Sequence, residues 1–161
     1  MTLIAPYGSW RSPIAAAHVT AGQVSLSNAH REGSSTWWCE GRPEEKGRVT
    51  LLRRGADGRV VEITPAPFNL RTRIQEYGGR AYAVASGGGA GEAEGGGLVV
   101  GVRFEDQRLH RLVVGEEPVP LTPESGGNLR FGDLAIDVAR QRVLAVREDH
   151  RAAGEPVTTI V

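Results

Sequence analysis

The sequence predicts an all-β chain of antiparallel four-stranded units, about three of them, and three observations predict it. Short β-type runs alternate with turn chemistry along almost the whole chain. Glycine (22) and proline (9) make up about a fifth of the 161 residues, too much for a helical bundle and below the disordered range. The runs also repeat. Ile63-Thr64-Pro65 recurs as Leu121-Thr122-Pro123, and Leu51-x-Arg53 recurs at the same offset as Leu109-x-Arg111. Val99-Val100-Gly101-Val102-Arg103 recurs as Val143-Leu144-Ala145-Val146-Arg147, and Tyr82-Ala83-Val84 as Ile136-Asp137-Val138, with the different offset absorbed by one longer loop. Four strands in about 40–50 residues are the signature of a β-propeller blade, so the architecture expected is a partial β-propeller. An ordinary antiparallel sandwich with coincidental matches is the alternative.

The elements follow in order. Pro13 to Val19 is the one place for a short helical turn, with Ser12 as N-cap and Pro13 at the first helical position. Val24 to His30 alternates weakly, and 36–40 is a short aromatic run containing Trp37, Trp38 and Cys39. Residues 41–47 read as a loop, 48–54 as a strand, and 55–58 as a turn in which Asp57-Gly58 suits a positive φ. The run 59–64 is stopped by Pro65 and Pro67. The second unit takes strands 80–84, 98–104, 108–113 and 118–122. The third takes 134–138, 142–147 and 157–161. Between the first two strands of the second unit lies a low-complexity loop, 86–97, whose glycines predict flexibility. A phosphate loop is not expected there, since GxxxxGK[ST] and a following helix are both missing. A closed propeller needs roughly four to eight blades. The expectation is therefore that residues 1–161 are the N-terminal portion of a longer propeller domain.

Composition excludes several functions. There are 19 basic and 19 acidic residues, so no strong field draws the chain to nucleic acid or to an anionic membrane. Cys39 is the one cysteine, which leaves no internal disulfide and no cysteine-based zinc site. Residues 1–10 lack a signal-peptide pattern and no apolar stretch reaches spanning length, so a cytoplasmic location is expected.

Candidate chemistry is sparse. His18, His30, His110 and His150 are scattered, and neither a metal site nor a cofactor is expected. Asp149 and His150 are neighbours whose side chains leave an extended strand on opposite faces, so they cannot act as two members of one triad. Of Trp37 and Trp38, one should pack inward. Cys39 reads as a small buried hydrophobe whose neighbour Glu40 would raise its pKa. Glu44-Glu45-Lys46 and Glu116-Glu117 read as solvated loop tips.

Longer segments carry a resemblance. APYGSWRSPI at 5–14, WWCEGRPEEKGRVTLLRR at 37–54, ITPAPFNLRTRIQEYGGRAYAV at 63–84, EDQRLHRL at 105–112, LRFGDLAIDVARQRVLAVREDH at 129–150 and GEPVTTIV at 154–161 resemble the N-terminal β-propeller of prolyl oligopeptidase family serine peptidases. The subgroup resembled is the bacterial dipeptidyl aminopeptidase/acylaminoacyl-peptidase type. The resemblance implies a two-domain enzyme in which the propeller covers a C-terminal α/β-hydrolase domain and restricts access to short peptides. It implies catalysis by acyl transfer to a serine and then to water. No G-x-S-x-G elbow occurs in this chain, so no catalytic residue is carried over and the chain alone is not expected to hydrolyse peptides. Its partners would be the missing hydrolase domain and, in the full-length enzyme, short peptide substrates. A stand-alone β-rich binding module that closes its sheets by oligomerisation is the alternative.

Arg71, Arg73, Glu76 and Tyr77 form the densest polar and aromatic cluster, on the connection from the first unit to the second. Such a segment can approach the central channel. Its side chains would meet peptide termini, carboxylate taking an amine and arginine taking a carboxylate. An inter-blade salt bridge from Glu76 to an arginine is the competing reading.

Overall fold

A computed structural model describes residues 4–9, 12–20, 22–86 and 97–161, and within them the chain forms three antiparallel sheets. The first holds β1 (Ser25–Glu32), β2 (Ser35–Arg42), β3 (Arg48–Arg54) and β4 (Val60–Glu62) in that spatial order. The second holds β5 (Tyr82–Ala85), β6 (Leu98–Val102), β7 (Leu109–Leu112) and β8 (Val119–Pro120). The third holds β9 (Leu129–Asp137), β10 (Arg142–Asp149) and β11 (Val157–Ile160). Every neighbour in a sheet is a neighbour in sequence, the meander expected of blades.

The repeats read from the sequence are repeats of hydrogen bonding. Leu51 N donates to Thr64 Oγ1 at 2.8 Å, and Leu109 N donates to Thr122 Oγ1 at 3.1 Å. Ile63 N and Leu121 N return bonds to the Leu51 and Leu109 carbonyls. In both units a threonine hydroxyl thus stands in for a ladder acceptor just past the short outer strand. The backbone can then turn away toward the next blade without leaving a buried amide unpaired. The difference from expectation lies in strand length. β4 and β8 are shorter than the apolar runs that announced them. β9 begins at Leu129, well before the expected 134, because the strand runs through Gly132 and a bulge at Asp133. The helical turn sits at α1 (Ala16–Thr20), later than expected. Ser12 Oγ accepts from Ile14 N rather than capping it. Loop 86–97 falls almost wholly outside the described residues.

The sheets' first strands lie side by side. Tyr82 on β5 donates its hydroxyl to the Asn28 carbonyl of β1 at 2.5 Å. Asp133 N on β9 donates to the Arg80 carbonyl just before β5. Between the sheets sits one continuous core that includes Trp37, Leu51, Leu70, Tyr82, Val100, Leu112, Phe131 and Leu134. Gly101 is required there: a Cβ would come 2.6 Å from Leu70 Cδ1 and 2.9 Å from Leu112 Cδ1. Of the two tryptophans, Trp37 is the one that packs inward, at 3% exposed.

A buried histidine adds a pH dependence. His110 on β7 is buried, packs edge-on against Phe68 with ring centroids 5.5 Å apart, and places Nε2 3.1 Å from Asp106 Oδ2. Burial pushes its pKa below 6.5, and Asp106 opposes the shift without reversing it. The folded state therefore holds a neutral ring where the unfolded chain takes up a proton. Its contribution is complete above about pH 6.5 and is lost as pH falls below that value. Tm measured between pH 7.5 and 5.5 should fall, and His110→Gln should flatten that limb. An unchanged limb in the variant would remove His110 as its source.

Candidate functional site

The meander order places the β2–β3, β6–β7 and β10–β11 turns at one end of the sheets, together with the β4–β5 connection. That connection, residues 63–81, carries the four residues singled out from the sequence. It is held first by Arg48, which is 7% exposed and donates from Nη1 to the carbonyls of Thr64 (2.7 Å) and Phe68 (3.2 Å). Arg48 also reaches Glu62 Oε1 at 2.8 Å and Glu45 Oε2 at 2.5 Å, while Arg42 reaches Glu62 Oε2 at 3.0 Å. Glu45, exposed at its loop tip, is therefore also part of an ion network with Arg42, Arg48 and Glu62 under the connection. Burial pushes the Glu62 carboxyl up, but hydrogen bonds from Arg48, Thr50 and Arg42 outweigh it and hold it below the usual carboxylate range.

From Leu70 onward the connection crosses to the second and third sheets. Leu70 bridges to Arg103, and Phe104 N donates to the Asn69 carbonyl. The Phe104 ring receives two guanidinium groups, Arg71 with Cζ 4.8 Å and Arg73 with Cζ 4.4 Å from its centroid. Gln107, fully buried, accepts from Arg73 N at 2.8 Å and donates to the Phe104 carbonyl at 2.8 Å. Ile74, also fully buried, packs where a Cβ on Gly132 would come within 2.7 Å of it.

The chain then reverses in a turn with unusual backbone. Gln75 and Glu76 both have positive φ (54° and 59°), followed by Gly78 at 83°. Two consecutive left-handed non-glycine residues cost about 1–2 kcal/mol each, so the turn persists only where its surroundings over-determine it. Glu76 and Tyr77 are exposed, Tyr77 at 96%. Tyr77 stands in the wall of a cleft of about 670 Å³ with Asn28, Arg71, Gly79, Arg80 and Asp133. Asp133, itself left-handed at φ 49°, accepts from Arg80 N at 3.1 Å and closes the far side.

The structure thus brings Arg71 and Tyr77 to the wall of one cleft, with Arg73 stacked beside Arg71 on Phe104 and Glu76 next to Tyr77 on the turn. The salt-bridge reading of Glu76 is not what forms: among the described residues, Arg71, Arg73 and Glu76 make no ion pair. The physical reason is the left-handed turn, which leaves Glu76 exposed while both arginines stack on Phe104.

Solved structures share this fold and sequence. A puromycin-hydrolyzing peptidase from Mycobacterium tuberculosis is 42% identical over 97% of the chain, with a TM-score of 0.77. A puromycin hydrolase is 37% identical over 97%, with a TM-score of 0.81. A mutant of puromycin hydrolase complexed with PGG is 36% identical over 97%, with a TM-score of 0.80. The chain matches the propeller part of prolyl oligopeptidase family peptidases. It spans about a quarter of their length, 23–24%. No family model matches it, and no curated protein does.

Within this peptidase-like propeller segment the other candidates stay apart. His150 Nε2 pairs with Glu148 at 3.0 Å while Asp149 pairs with Arg151, so the two sequence neighbours serve different partners. No group of three or more potential metal ligands occurs among the described residues. Cys39 is 1% exposed; burial pushes its thiol up to about 11, so the cause is desolvation and not Glu40. No helix among the described residues is long and apolar enough to cross a membrane. Reading the sequence by residue type missed Phe104, Gln107, Asp133 and Glu148. The repeat pairing Tyr82 with Ile136, extended toward the N-terminus, sets Gly78-Gly79 against Gly132-Asp133, and that signal reaches Asp133.

Proposed function

We propose that this chain is the N-terminal propeller portion of a cytoplasmic two-domain serine peptidase, and that its propeller gates short peptides on their way to a catalytic α/β-hydrolase domain. In this reading the chain contributes no nucleophile. Its rim binds and orients the peptide termini: Glu76 receives the α-ammonium group, and Arg71 or Arg73 receives a carboxylate. Charge-assisted bonds of this kind are short and directional, so they hold a flexible peptide in one register while acyl transfer proceeds elsewhere. The observation that carries the reading is the left-handed turn at 75–76, which sets exposed Glu76 next to Tyr77 and Arg71 in the wall of a cleft, in a chain similar to peptidases over 97% of its length. Within the family's aminopeptidase and acylaminoacyl-peptidase activities, an amine-binding Glu76 favours unblocked peptides.

The test is Glu76→Ala in the full-length protein, assayed on one peptide with a free and with an acetylated N-terminus. KM for the free peptide should rise about tenfold, equivalent to about 1.4 kcal/mol, with kcat little changed and the acetylated peptide unaffected. Equal kcat/KM for variant and parent on the free peptide would remove the reading. A natural product that lacks a hydrolase domain and assembles as a ring would instead establish the stand-alone binding module.

A further inference from the structure

The terminus-binding turn is held by the third sheet as well as by the two sheets it connects. Glu148 on β10 is 6% exposed, yet no lysine or arginine pairs with it among the described residues. Its two oxygens are divided: Oε1 accepts from Gln75 N at 2.8 Å, and Oε2 lies 3.0 Å from His150 Nε2. Directly across the β9–β10 pair is Arg130, which donates from Nη1 to the Arg73 carbonyl at 3.4 Å. Thr72 Oγ1 adds a bond to the Phe131 carbonyl at 2.5 Å. The strand pair therefore grips the connection at Thr72, Arg73 and Gln75, the last of these being the first of the two left-handed residues.

A carboxylate buried without a cation is costly unless its oxygens are used. Here one oxygen is used on the amide of a residue that would otherwise leave the left-handed region. We propose that Glu148, assisted by Arg130, is a positioning residue: it clamps Gln75 so that Tyr77 stays in the wall of the cleft, with Glu76 beside it, in a binding-ready arrangement. This rests on the reading of Glu76 as the amine-binding group. The clamp works through the backbone and touches no substrate. Its effect is preorganisation, which appears in binding rather than in chemistry.

The experiment uses the full-length protein with Glu148→Ala, Glu148→Gln and Arg130→Gln, and Glu76→Ala beside them. Hydrogen exchange is followed in a peptide covering 74–78, together with kinetics on the free and acetylated substrates. Glu148→Ala should speed exchange of the Gln75 amide at least tenfold. It should also raise KM for the free peptide about fivefold, leaving kcat and the acetylated peptide unchanged. Glu148→Gln keeps a side-chain carbonyl for Gln75 N and should restore both values to near the parent. Arg130→Gln should give a weaker copy of the Glu148→Ala pattern. Unchanged Gln75 exchange in Glu148→Ala overturns the clamp. Faster exchange throughout β9 and β10, with no split between free and acetylated peptide, also overturns it, because that is a general stability role. If Glu76→Ala raises KM and Glu148→Ala does not, the positioning role fails while the amine-binding reading stands. If Glu76→Ala leaves KM unchanged, the amine-binding reading fails, and the proposed benefit of the clamp falls with it whatever the exchange shows.

Discussion

Arg48→Met should destabilise the fold by about 3 kcal/mol, the scale for removing one member of a buried ion pair. The substitution keeps most of the aliphatic volume, so the loss is polar. Two buried carbonyls, those of Thr64 and Phe68, lose their donor, and Glu62 loses its Nη2 contact while keeping Arg42. The same cavity cannot supply water freely, because Thr50, Thr64 and Phe68 around it are themselves buried. Arg42→Met is the control. Arg42 is about a quarter exposed and bonds only to carboxylates, so its removal should cost under about 1 kcal/mol. Denaturant midpoints for the two variants check the contrast. Equal midpoints would show that the carbonyl bonds of Arg48 contribute nothing beyond a surface pair. The acid side carries a second signature. The Glu62 carboxyl is held below its usual range, so the network's contribution is present above about pH 4.5 and is lost as pH falls through the carboxylate range.

Tyr82→Ala should cost about 4 kcal/mol, as for other large aromatic truncations in a core. Tyr82 is 1% exposed and is the largest fully buried side chain among the described residues. It fills space between the first and second sheets, and its hydroxyl bonds the Asn28 carbonyl at a bulge in β1. Tyr82→Phe separates the two contributions. It retains the packing and should cost about 1 kcal/mol for the lost hydrogen bond. Unfolding midpoints for both variants give the comparison. If Tyr82→Ala proves no worse than Tyr82→Phe, the ring's packing is not what joins the sheets. Burial also pushes the Tyr82 phenol above its ordinary value of 10, so this residue's contribution falls as pH rises past 10.

These two residues show where sequence reading succeeds and where it stops. β3 was legible from end to end, because its apolar run is bounded by clear turn residues on both sides. The threonine repeats at Thr64 and Thr122 were legible as pattern, and the structure supplies their meaning as ladder substitutes. Strand β9 was half legible. Its first residues, Leu129 to Asp133, contain a glycine and a bulge, and period-two alternation breaks at a bulge. Glu45 is exposed, as its place at a loop tip suggests, but nothing local shows that its carboxylate will find two arginines.

The candidate site divides in the same way. Arg71, Arg73, Glu76 and Tyr77 stand within seven positions, so composition alone picks them out. Their partners do not. Phe104, Gln107, Arg130 and Glu148 come from the second and third sheets, far along the chain. Whether Glu76 would pair with an arginine depended on backbone dihedrals that no residue type at Gln75 or Glu76 announces.

By itself, the sequence determined the all-β class, the four-strand repeat and the family resemblance. Each rests on local periodicity, turn chemistry and short motifs, which a chain displays before it folds. Only the tertiary structure decided that the connection between the first two sheets is gripped by the third, and that its arginines stack on Phe104 while Glu76 forms no ion pair among the described residues. Those outcomes depend on contacts between residues distant in sequence, and the energy of such a contact belongs to the pair rather than to either residue read alone.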